Sequence, residues 1–299
     1  MDGLIKMKGM HRFRIHYLLL LLAMFFVTCS EEEALPDVPN TPEEPETPTP
    51  QILRKALSYN TLRTEEQIDS DAQTVTAKQT FTCTDGLLTQ MVYEQSLTTA
   101  EPFSISHTSN ITYLEDKVII TDSNGCVNTY QLNKQGYAES CVREENGKVT
   151  RRYSFYYDAT DLSAIEEYLA SDNFETAYSR IVIKYYPDMI QLAHKVDQYF
   201  QVFIGTFNTN VPSNSLAIPN PLLAELHPLS MHTPALYAQI LGNIHPLYFQ
   251  QIAPKDNEES QEKTTFYYNF DEAGIPTDCI IQTESYGETF NRKISYQID

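Results

Sequence analysis

Leu132-Asn-Lys-Gln-Gly-Tyr-Ala-Glu-Ser-Cys141, Tyr157-Asp-Ala-Thr-Asp-Leu-Ser-Ala-Ile165 and Phe270-Asp-Glu-Ala-Gly-Ile-Pro-Thr-Asp-Cys279 decide the fold. Each runs from an aromatic residue or Leu through Asn or Asp into a turn, then to an apolar residue and a return strand. The side chain of Asn133, Asp158 or Asp271 can cap its own turn, as Asx residues do. Further turn signals stand at Glu115-Asp116, Asp122-Ser-Asn-Gly125, Glu145-Asn-Gly147 and Pro187-Asp188, with strand-like runs between them. Short strands separated by such turns predict a mainly β fold, an antiparallel meander of hairpins forming a large curved sheet. Near the C-terminus Phe290, Arg292, Ile294, Tyr296 and Ile298 share one face of a period-2 pattern that only Arg292 interrupts.

The three hairpins resemble the "YD" units of rearrangement-hotspot-type repeats. More closely, residues 80–299 resemble a family of Bacteroides-type surface lipoproteins known only as a domain of unknown function. Leu241-Gly-Asn-Ile-His-Pro-Leu247 is similar to a Leu-Gly…Leu-Pro segment that such proteins carry before their final hairpin. The resemblance implies a surface lipoprotein and brings no activity with it.

A helical insertion over about 208–254 interrupts the meander. Thr233-Pro-Ala-Leu-Tyr-Ala-Gln-Ile-Leu-Gly242 offers a Thr cap, Pro at the first helical position and Gly beyond the end. Pro219–His227 adds another turn or two, and the block is expected to plug or cover one edge of the sheet. Leu162–Leu169 fits either a helix or a return strand.

At the other end of the chain, Arg12 and Arg14 precede the apolar run Tyr17–Val27, which meets Thr28-Cys29-Ser30. Eleven apolar residues fall short of the ~20 that cross a bilayer as a helix, so residues 1–28 read as a lipoprotein signal peptide and Cys29 as the lipidated first residue. Residues 29–50 form a Pro-rich acidic tether, long enough to reach about 60 Å in an extended form. Ser30, Glu31, Glu32 and Glu33 resemble the surface-export signal of Bacteroides-type lipoproteins; their plain alternative is the start of a solvated linker. Residues 51–299 then make one β-rich domain, and the expected location is the outer membrane, lipid-anchored and facing the exterior.

The formal charge is −19, and removing residues 1–28 with Lys6, Lys8, Arg12, Arg14 and Asp2 brings it to −22. Such a charge repels nucleic acid and anionic headgroups. The membrane is therefore a partner through the lipid, and an extracellular glycan or protein is the expected ligand. Cys83, Cys126, Cys141 and Cys279 permit two disulfides in three pairings, or four buried thiols.

Catalytic motifs do not emerge. His194, His227, His232 and His245 lack zinc-ligand spacing, no Gly-x-Ser-x-Gly elbow or phosphate loop occurs, and forty Asp and Glu make any glycosidase pair uninformative. No cofactor or metal is expected. Aromatic clusters supply the candidate ligand contacts Tyr156, Tyr186, Tyr237, Tyr248 and Tyr267, against the plainer role of cross-strand packing. The leading reading is a non-catalytic binding or assembly module of the cell surface. A surface hydrolase acting on polysaccharide or protein is the alternative, marked by a cleft with converging carboxylates. A periplasm-facing lipid carrier is a third, marked by an apolar concave cavity.

Overall fold

The computed structural model describes residues 61–68, 73–98, 103–256 and 262–297, all in one compact unit. The signal peptide, Cys29, Ser30–Glu33 and the tether lie outside the described residues, as does Ile298. Along the chain run β1 (Thr61–Ile68), β2 (Gln73–Thr84), β3 (Leu87–Thr98), β4 (Phe103–Tyr113), β5 (Lys117–Asp122), β6 (Cys126–Leu132), β7 (Ala138–Glu145) and β8 (Lys148–Asp158). They continue as β9 (Asp161–Leu169), β10 (Ala177–Tyr185), β11 (Met189–Val196), β12 (Tyr199–Phe207), β13 (Phe249–Pro254), β14 (Lys263–Phe270), β15 (Pro276–Ser285) and β16 (Glu288–Gln297). Every strand pairs antiparallel with its sequence neighbours, and β1 pairs with both β2 and β16, so the curved sheet closes into a barrel. Leu162–Leu169 resolves as strand.

The turn chemistry explains much of the meander. Asn133 Oδ1 accepts the backbone N–H groups of Gln135 and Tyr137 at 2.9 and 3.0 Å. Asp271 Oδ1 takes those of Ala273 and Ile275 in the same way, at 2.9 and 2.8 Å. The hairpin at Asp158 differs: it turns in two residues, with Ala159 at φ +53°, and Asp158 stands opposite Asp161 in the ladder. The shared plan therefore holds for two of the three stretches.

Because side chains alternate across a strand, register assigns two walls. Val118, Tyr130, Cys141, Tyr153, Glu167 and Ser179 are successive ladder partners from β5 to β10, all buried, and they face the lumen. One residue along, Ser140, Ser154, Glu166, Arg180 and Lys195 form the matching row on the outer wall.

Residues 208–248, between β12 and β13, fill that lumen. They touch Phe81 of β2 through Tyr237, Tyr130 of β6 and Tyr153 of β8 through His232, and Arg292 of β16 through Glu225. Backbone contacts add Ala138 N–H donating to Ile240 O and Asn243 N–H donating to Thr160 O. Strands so widely spaced around a closed sheet share only its interior, so the insertion is a plug. The expectation that it covers a sheet edge is corrected, because the paired β1 leaves no edge there. Sixteen strands otherwise enclose a water-filled channel, and burying Leu229, Ala235, Leu236, Tyr237, Ile240 and Leu241 inside supplies the missing core.

The plug's helices are shorter than the sequence suggests. Helix α1 spans Pro221–Glu225, with Asn220 Oδ1 accepting from the N–H groups of Leu222 and Leu223. Helix α2 spans Thr233–Tyr237 and begins after His232, with Thr233 inside it and donating its hydroxyl to Ser230 O. It stops well before Gly242 because Gln239 takes φ +57°, which the right-handed helix cannot accommodate. Arg292, the apparent break in the last strand's apolar face, is the lumen's partner for Glu225 of the plug.

Candidate functional site

The densest polar chemistry lies where plug meets wall. Glu167 projects inward from β9 and is fully buried. Its Oε1 accepts from Arg151 Nη1 at 2.5 Å and from the Tyr153 hydroxyl at 3.1 Å, and Oε2 accepts from Ser179 Oγ at 2.7 Å and from His227 Nε2. Three donors come from strands β8 and β10; the fourth comes from the plug. Burial alone would raise the carboxyl's pKa, yet the bonds from His227, Ser179 and Arg151 and the His227 charge outweigh it and bring the group down to about 2. A carboxylate held ionised so firmly is a structural anion. It is a poor general acid at neutral pH, since a catalytic acid needs a pKa near the working pH.

Two more histidines extend the seam. His194 Nε2 donates to the backbone oxygen of His227, and burial lowers the His194 pKa to about 4. His232, on the plug, shares a 2.8 Å hydrogen bond between its Nδ1 and the Tyr130 hydroxyl, and it sits edge-on to Tyr153 and Phe155. Burial lowers its pKa to about 3, so both rings are neutral at pH 7. His245 lies apart, stacked between Phe207 and Tyr185. Among the described residues no three His, Cys, Asp or Glu side chains converge as a metal ion requires. Cys83, Cys126, Cys141 and Cys279 are all free thiols.

The aromatic candidates do not form one surface. Tyr237 and Tyr248 are buried, the first against Phe81 and the second between Tyr268 and Phe270. Tyr156 on the outer wall is half-buried and bonds Glu166, Tyr186 is exposed beside the turn after β10, and Tyr267 is exposed beside Ile280 on β15. Tyr156 and Tyr267 stand six strands apart, roughly 29 Å around the wall at 4.8 Å per strand. Sequence reasoning missed Glu167, Arg151, Tyr153 and Ser179. A signal existed in Ile165 and Glu167, which share one strand face and place a carboxylate beside a core residue.

Charged and polar residues interrupt much of the outer wall where a membrane-spanning barrel carries a continuous apolar band, while Tyr156, Ala164, Val182, Ala193 and Val202 form one apolar row that Phe200 and Ile204 extend along β12. On β10, Arg180 and Lys184 flank Val182 four residues apart, about 13 Å along the strand. On β11, Lys195 and Gln191 flank Ala193 likewise. A lipid-facing barrel instead carries an apolar band about 25 Å tall. Neighbouring outer rows continue with Thr129, Val142, Arg152 and Tyr168, and with Thr265, Gln282 and Asn291.

These features can be set beside known proteins. No curated protein matches the chain. A porin-like protein from Bacteroides uniformis, known from a crystal structure, is similar at 31% identity with a TM-score of 0.72, covering 82% of this chain and 100% of that one. A porin-like protein from Bacteroides vulgatus aligns at 12% identity and a TM-score of 0.44, covering 69% of this chain and 97% of that one. Residues 81–278 match the family described as a domain of unknown function (DUF4595) with porin-like fold, and the chain belongs to that family.

Proposed function

We propose that the protein is a non-catalytic binding or assembly module, held at the exterior face of the outer membrane by a lipid on Cys29 and displayed by the tether of residues 30–50. One observation carries the reading: the barrel buries most of its apolar side chains, and those of its own plug, in the lumen and sets charged residues over much of the outer wall, a polarity that suits a water-soluble body. Such a barrel neither faces lipid with its wall nor leaves a channel, so it needs another means of staying at a membrane. The sequence supplies one in Cys29, and Ser30–Glu33 supply an address for the exterior. The Glu167 seam supports the non-catalytic part, because its charge is already satisfied by four donors and fastens the plug.

Protease shaving of intact cells tests the placement. The domain is removed from native cells and spared when Glu31, Glu32 and Glu33 become alanine, while a fatty-acid label on the protein disappears in Cys29→Ala. Equal shaving of both, or label persisting in Cys29→Ala, contradicts the reading. Panels of glycans and peptides test the ligand class: retention without cleavage products is expected, and products that vanish on mutating one carboxylate would establish a hydrolase.

A further inference from the structure

The barrel's strands are uneven in length, and its rim carries a free strand edge. The ladder between β4 and β5 ends at Ser109 opposite Asp122, while the ladder between β3 and β4 continues to Leu97 opposite Phe103. Residues 103–108 therefore rise beyond β5, about 20 Å of strand at 3.4 Å per residue. Among the described residues no strand pairs with their other side. The Thr108 N–H donates to Ser123 Oγ at 3.0 Å, and the Thr108 C=O accepts from the Ser123 N–H at 2.7 Å, so the main chain of Thr108 points towards the turn after β5. These groups alternate along a strand, so those of Ser106 and Ser104 point the same way, past the end of β5 and into solvent. Phe103, Ile105 and His107 share the inner face with the buried Ser109 and Ile111, yet Phe103 and Ile105 are 58% and 41% exposed. Residues 103–107 contain no Lys, Arg, Asp, Glu or Pro, the residues that keep exposed edges from pairing.

We propose that this edge pairs with the same edge of a second copy of the chain, antiparallel and about a two-fold axis through Ile105. Turned on itself about that residue, Phe-Ser-Ile-Ser-His sets Ile105 opposite Ile105, Ser104 opposite Ser106 and Phe103 opposite His107 of the second copy. The two serine pairs exchange four main-chain hydrogen bonds. The isoleucine pair and the two Phe–His pairs then occupy the positions between those bonds, where side chains approach most closely. A two-fold contact of this kind is self-complementary and closes at two copies. A second copy suits the edge better than a free peptide, because β3 already holds both edges extended and neither loses backbone entropy on pairing. Five residues a side bury less than a standard interface, so the pair is a weak one. The inference rests on the binding-or-assembly reading for its role and names the partner. The pairing itself does not need the anchor, so its failure leaves the shaving experiment untouched.

Sedimentation equilibrium of the mature chain with Cys29→Ser, unlipidated and free of detergent, tests the pairing. The weight-average mass should climb from that of one chain towards twice that value between about 1 and about 300 µM. Ser106→Pro removes a donor from the edge at a position where a strand tolerates proline, and Ile105→Lys sets two ammonium groups against each other at the axis. Each variant should stay a single chain across that range with the melting temperature of the parent, and either one decides if the other fails to fold. Ile105→Glu should also stay single alone, yet pair when mixed with Ile105→Lys, because the axis then joins opposite charges. A parent chain that remains single at the highest concentration overturns the proposal and leaves the edge to a different partner or to solvent. A dimer that persists in a folded variant, or a lysine–glutamate mixture that stays monomeric, overturns it as well.

Discussion

Replacing Glu167 by alanine removes the acceptor shared by Arg151, Tyr153, Ser179 and His227, and leaves a guanidinium and buried hydroxyls uncompensated. Breaking a buried charge pair from one side costs about 3–5 kcal/mol, so Glu167→Ala should lower the denaturant midpoint steeply while Glu166→Ala on the outer wall changes it far less. Chemical denaturation of the two variants checks this. The same residues set the response to acid. His194 and His232 have folded-state pKa values near 4 and 3 against an ordinary 6.5, so the unfolded chain takes up their protons first. Their contribution is complete above about pH 6.5 and is lost as the pH falls through 4 and 3. Glu167, near 2 folded against 4.5, adds to the loss below pH 4.5. Melting temperatures should be level from pH 8 to 7 and fall steadily from 6.5 to 3. His194→Gln should flatten the upper part of that fall, and a melting temperature that rises on acidification would contradict the assignment.

At the scale of elements, the hairpins were legible because their turn residues act locally: Asn133 and Asp271 bond their own backbone, so no distant contact is needed to place those turns. Helix α2 was legible in position and not in length, since nothing in the propensity of glutamine announces the left-handed conformation that Gln239 takes just past its end. The loop that leaves the plug gives a sharp test. Gly242 and Gly125 share nearly the same backbone conformation, φ +86° and +85°. A Cβ at Gly242 would stand 2.7 Å from the backbone oxygen of Thr160, whereas one at Gly125 meets nothing within 4 Å. Alanine at Gly125 should cost about 1–2 kcal/mol for the left-handed backbone alone. Gly242→Ala should cost a further 1–3 kcal/mol from overpacking, visible as a lower melting temperature, because the Thr160 backbone must shift and with it the bond that holds Asn243.

At the scale of the whole molecule, sequence reasoning reached the meander, the insertion and the apolar face of the last strand, all of which depend on period and local turns. It did not reach closure or the plug. Closure depends on Thr61–Ile68 pairing with β16 more than two hundred residues later, and nothing in a strand's own pattern names so distant a partner. The site stayed hidden for a related reason: Glu167 reads as one of forty acidic residues until the ladder sets it opposite Tyr153 and Ser179, and the plug delivers His227 to it. Five tyrosines chosen for their rings were then divided between core, wall and turn by that same closure. What the closed barrel adds to function is a division of labour. In the function proposed above the wall faces water, the lumen holds the plug, and attachment to a membrane falls to Cys29.

Detergent phase separation of the mature chain with Cys29→Ser measures that division most directly. The account predicts that this unlipidated chain is recovered in the aqueous phase as a folded monodisperse protein, while the chain with Cys29 intact, expressed in cells that process lipoproteins, enters the detergent phase. Recovery of the Cys29→Ser chain in the detergent phase would mean that the wall itself faces lipid, and would contradict the account.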